Sequence, residues 1–122
     1  MTQGSRRSGV KQQRKLARKI EEYRLSDGLT VKIYLKKAND SEEHPEGPLV
    51  YYFRCSVGET WVTYMVIVND GLRAVLRAKG TSDDTVVHVA LKYVKAEIAR
   101  GNLVDGTELE FGPLQEGLFP RQ

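Results

Sequence analysis

Lys32, Tyr34 and Lys36 recur two apart on one alternating segment, and Tyr52, Arg54 and Trp61 follow on the next two. Flat rings interleaved with cations are what single-stranded nucleic acid uses. Rings stack on bases, at about 1–3 kcal/mol per base, while lysine and arginine hold phosphates. Arg73 and Arg77 join this set if residues 72–79 form a fourth strand. Ahead of it lie Arg6, Arg7, Lys11, Arg14, Lys15, Arg18 and Lys19, with no acid among residues 1–20. That segment is +7 in a chain of net charge +3, so the remainder is −4. A basic segment ahead of a mildly acidic body points to phosphates or to an acidic protein surface.

The other reactive side chains form no catalytic constellation. His44 lies in an acidic loop and His88 on a helix, far apart in sequence. Cys55 falls on the inward side of its strand, where it acts as a small apolar residue. One cysteine and two histidines do not readily supply a metal site, and no glycine-rich phosphate loop is present. Asp83 and Asp84 suit a helix start, and Asp40, Glu42, Glu43 and Glu46 a solvated loop. The expectation is a non-enzymatic protein without cofactor or metal.

The elements that must position these residues follow from periodicity. Residues 1–9 read as a flexible basic arm. From Val10 to Arg24, Leu16, Ile20 and Tyr23 recur at steps of three and four, which predicts a helix ended by Ser26-Asp27-Gly28. Leu29, Val31, Ile33 and Leu35 alternate with Thr30, Lys32, Tyr34 and Lys36, the pattern of a half-buried strand. Strands at 49–57 and 61–68 follow; Asn69-Asp70-Gly71 reads as a hairpin turn into a strand at 72–79, a stretch whose composition also suits a helix. Thr81-Ser82-Asp83-Asp84 caps a helix that runs to Arg100-Gly101. Thr107 to Phe111 alternates as a short edge strand. The fold class expected is α+β: an antiparallel sheet of three to four strands with two helices on one face, in the order α-β-β-β-(β)-α. Residues 10–112 make one domain and 113–122 a C-terminal tail. With 40% hydrophobic residues, the chain can build one core without disulfide or metal staples.

Parity then sorts the faces. Tyr51, Phe53 and Cys55 turn inward with Val62, Tyr64, Val66 and Val68, leaving Tyr52, Arg54, Trp61, Met65 and Ile67 outward. On the fourth segment Leu72, Ala74 and Leu76 go in, and Arg73 and Arg77 out. The outward set contains no acid among its members.

Glu46-Gly47-Pro48 before the second strand and Gly80-Thr81 before the last helix make residues 10–100 resemble the double-stranded-RNA-binding domain. The resemblance implies an α-β-β-β-α layout with the Gly-Pro loop entering a minor groove. Where that family has a histidine two residues after Gly-Pro this chain has Val50, and where it opens the last helix with lysines this chain has Thr81-Ser82-Asp83-Asp84. The strand-rich stretch ending at Gly80-Thr81 is also similar to ribosome-hibernation factors, which begin with a strand.

The expected partner is nucleic acid, RNA ahead of DNA, or an RNA-rich assembly such as the ribosome. The alternative is a protein partner or second copy of the chain on the open sheet face. No apolar run approaches the roughly 20 residues needed to cross a bilayer, so no membrane is expected. A lone cysteine fits the cytoplasm.

Overall fold

The computed structural model describes residues 17–37 and 46–120. Five strands, two helices and a 3-10 turn follow one another: β1 (Arg18–Arg24), β2 (Thr30–Lys37), β3 (Leu49–Val57), β4 (Thr60–Val68), α1 (Asp70–Lys79), α2 (Asp83–Ala99), β5 (Thr107–Phe111) and the turn Pro113–Leu118. The strands stand in chain order in one sheet. β1 to β4 are antiparallel neighbours, whereas β5 returns parallel to β4 after both helices.

The expected order α-β-β-β-(β)-α is thus corrected in two places, and so is the α-β-β-β-α layout that the resemblance implied. Arg18–Arg24 is a strand rather than the end of a helix; the rest of that expected helix, and the arm before it, lie outside the described residues. The cause is a bulge. The register between β1 and β2 shifts between Lys19 and Glu21, so that Ile20 and Tyr23 both pack against the core. One extra residue puts positions three apart on one side, imitating helical spacing within a strand.

Residues 72–79 are the second correction, a helix rather than a fourth strand. The Asn69 side chain, expected in a hairpin turn, accepts the Leu72 N–H at 2.9 Å and caps α1. Leu72 and Leu76, four apart, turn into the core, among residues with good helix propensity. Gly80 closes α1 at a φ of 76°, a left-handed conformation that suits glycine. Ser82 opens α2 by accepting the Thr85 N–H at 3.2 Å.

β2, β3 and β4 follow the expected parity. Val31, Ile33, Tyr51, Phe53, Cys55, Val62, Tyr64 and Val66 are all buried on one side. Leu72, Leu76, Val86, Val89, Ala90, Val94 and Ile98 from the helices complete the same cluster, so both helices cover that face. Leu29, expected inward, stays exposed: β2 begins at Thr30, and Leu29 sits in the preceding turn with its N–H held by Asp27 Oδ1 at 3.0 Å. Phe119 is buried and meets Phe111 edge-on at 5.8 Å.

Cross-links set the helices against the strands. Lys95 of α2 pairs with Glu21 of β1 at 2.9 Å and lies 4.5 Å from the Tyr23 ring centroid. The Tyr64 hydroxyl donates to the Asn102 carbonyl at 2.5 Å, and Asn102 in turn donates to Glu97 at 2.7 Å. Replacing the cap by Asn69→Ala is expected to cost about 1 kcal/mol of unfolding free energy, measured by urea denaturation, without loss of fold.

Candidate nucleic-acid interface

The sheet face away from the helices is built in cross-strand rows. Lys32 stands opposite Ser56, which stands opposite Trp61. Lys19, Tyr34, Arg54 and Thr63 form the second row, and Lys36, Tyr52, Met65 and Glu108 the third. Val50, Ile67 and Glu110 make the fourth. Among the described residues no helix lies on this side.

Diagonal neighbours on one face are within reach of long side chains. The Tyr34 and Trp61 rings, on strands separated by β3, reach over Arg54 and Ser56 to lie 5.9 Å apart, tilted by 38°. The Arg54 guanidinium sits 4.9 Å from the centre of the Trp61 ring, and its Nη1 donates to Thr63 Oγ1 at 3.1 Å. A cation over an exposed ring contributes about 0.5–1 kcal/mol, so this arrangement orients both groups without locking them. Trp61 remains 48% exposed.

The structure therefore brings together Lys32, Tyr34, Lys36, Tyr52, Arg54 and Trp61, as expected from parity. Among the described residues, the open-face positions of β2, β3 and β4 carry no carboxylate. Lys19 joins this side from β1, opposite Tyr34, while Arg18 stands opposite the inward Leu35. Arg6, Arg7, Lys11, Arg14 and Lys15 lie outside the described residues.

Two parts of the expectation are corrected. Arg73 and Arg77 belong to α1, on the other side of the sheet. Arg73 is 5% exposed and donates from Nη1 to the Gly47 carbonyl at 3.0 Å. Both arginines line clefts beside the 46–49 segment, together with Glu46, Asp70 and Asp83. They cannot share a ligand path with Arg54. Carboxylates also stand at both margins of the open face. Glu22 on β1 stands opposite Lys32 and pairs with Lys19 at 2.7 Å. That hydrogen bond raises the Lys19 pKa and lowers that of Glu22. Glu108 and Glu110 project from β5 beside Met65 and Ile67.

The two glutamates of β5 were missed although their strand was expected. The alternation of Thr107-Glu108-Leu109-Glu110-Phe111 shows that Glu108 and Glu110 share a face. Which face it is depends on β5 lying parallel to β4, a pairing made across a two-helix crossover. Asp105 precedes them and accepts the Thr63 N–H at 2.6 Å, fixing where β5 starts.

Among the described residues, no group of three His, Cys, Asp or Glu is placed to hold a metal ion. No described helix is long and apolar enough to cross a membrane. Cys55 is fully buried beneath the sheet, and desolvation pushes its thiol up to about 12. Thiolate, the reactive form, is suppressed there at neutral pH. Comparison with known proteins found no matching family model, no matching curated protein and no matching solved structure.

Three outcomes follow from this geometry. Arg54→Ala removes the cation from the indole and is expected to increase acrylamide quenching of Trp61, the single tryptophan, at a stability cost of about 1 kcal/mol or less. Burial also raises the Tyr64 hydroxyl to about 12. Both it and the Cys55 thiol are held neutral by the fold, so their contribution is complete below their unfolded values of 10.0 and 9.0. It is lost as pH rises through the folded ones. Urea midpoints should accordingly fall steadily above pH 9.0, and Cys55 should react with a thiol reagent only after unfolding.

Proposed function

We propose that this chain is a non-enzymatic module that binds single-stranded nucleic acid, RNA ahead of DNA, across the β1–β3 side of its open sheet face and the Trp61 end of β4. The carrying observation is the cluster of Arg54, Trp61 and Tyr34 within a patch whose strands present no carboxylate. Lys32 and Lys36 flank that patch, and Tyr52 adds a third ring beside Lys36. The basic N-terminal sequence precedes β1, the strand next to β2. Rings that lie on a sheet stack on unpaired bases, which a duplex does not offer. A cytoplasmic setting and an RNA-rich assembly belong to this proposal.

Fluorescence titration with oligouridylate, with duplex RNA as comparison, tests it. Trp61→Ala and Tyr34→Ala should each weaken single-strand binding at least about fivefold, the lower end for one stacked base. Replacing Lys32 and Lys36 by alanine should flatten the slope of log affinity against log salt by about 0.7 for each phosphate no longer neutralised. Affinity indifferent to salt and to Trp61 contradicts the proposal.

A second reading has its own supporting observation, the split of charge across the face. A two-fold axis parallel to the strands would set Glu108 of one copy against Lys36 of another, with Tyr52 and Met65 between them. Light scattering separates the readings: a stable dimer with blue-shifted Trp61 emission favours the second.

A further inference from the structure

We infer that Glu108 and Glu110 bound the ligand path, confining a single-stranded polyanion to the side of the sheet formed by β1, β2 and β3 and to the Trp61 end of β4. This rests on the nucleic-acid reading and adds to it the route that the strand takes. The register places Glu108 beside Met65 and Glu110 beside Ile67, both carboxylates exposed. Neighbouring strands are about 4.8 Å apart, so these charges stand roughly 5 Å from β4 and roughly 14 Å from β2. With a screening length of about 8 Å at physiological salt, a phosphate over β4 at Met65 is repelled, while one over β2 scarcely senses them.

Trp61 stands clear of Glu108 and Glu110 by its position along the strand. It precedes Met65 by four residues, about 13 Å of extended chain, and β5 does not reach it, since the pairing with β4 begins at Tyr64. Asp105, the carboxylate nearest that end of β5, is tied to the β4 backbone by accepting the Thr63 N–H. At the opposite margin, Glu22 is held by Lys19. The open face therefore has one corner that excludes phosphate, at Met65, Ile67, Glu108 and Glu110. Among the described residues, a diagonal of strand positions that themselves carry no carboxylate is left, running from Lys36 through Tyr34 and Arg54 to Trp61. A strand entering at the Lys36 end, where β1 begins, follows that diagonal and leaves at Trp61 without crossing β5.

Neutralising both glutamates tests the route. Wild-type chain, E108Q/E110Q and the control D84N/E116Q, which removes two carboxylates from the helix side, are titrated with polyuridylate at low and high salt. The inference expects E108Q/E110Q to bind about threefold or more tightly at low salt, to cover more nucleotides per protein, and to lose this gain at high salt. The control, equal in net charge, keeps the wild-type site size and gains less. Wild-type affinity and site size in E108Q/E110Q, or an equal gain in both variants, overturns the inference and leaves the binding proposal standing. Absence of any wild-type binding overturns both. Should the variant bind no better while the wild type proves to be a dimer that E108Q/E110Q dissociates, the carboxylates serve self-association and the inference fails.

Discussion

Everything on the open face depends on the unbroken antiparallel register of β2, β3 and β4. From Val31 opposite Val57 to Lys37 opposite Tyr51, and from Leu49 opposite Val68 to Val57 opposite Thr60, each residue has one partner and no bulge interrupts the count. Side chains alternate along a strand, so shifting one strand by a residue would exchange Tyr51, Phe53 and Cys55 for Tyr52, Arg54 and Ser56. Burying a large apolar side chain contributes about 1.5–3 kcal/mol, and all three strands commit several to the core. The slipped arrangement would also bury the Arg54 guanidinium without a partner. Core packing therefore dictates, as its by-product, which cations and rings share the opposite face.

The helices make this one-sidedness complete. β5 and the crossover of α1 and α2 extend the sheet by a parallel strand while keeping both helices on the core side. Arg73 shows the consequence: a cation that would face outward on a strand is carried by α1 to the far side and bonded to the Gly47 carbonyl. Charge on this chain is thus separated by the sheet itself, one set of cations serving the junction of α1 with the 46–49 segment and another lying on the open face.

Much of this was legible in the sequence. Strands β2, β3 and β4, the long helix and the inward and outward sets within those three strands follow from simple alternation and from the Ser82 cap. Two elements were not, each for a local reason. The bulge in β1 gives Ile20 and Tyr23 a spacing that periodicity assigns to a helix. Asn69-Asp70-Gly71 carries residues that suit a hairpin turn and a helix start equally, and only the Leu72–Leu76 spacing favours the helix. The charge at the margin of the site was hidden differently. Glu108 and Glu110 acquire their meaning from a neighbour about forty positions earlier in the chain, and no local pattern reports a parallel pairing made through a crossover.

The most direct test of this account is a nuclear magnetic resonance titration of the full chain with a short oligouridylate, read at backbone amides and the Trp61 indole. The account predicts shifts concentrated at Lys32, Tyr34, Tyr52, Arg54 and Trp61, sparing Arg73, Arg77 and the exposed side of α2. Shifts centred on α1 and the 46–49 segment, with the Trp61 indole unmoved, would contradict it.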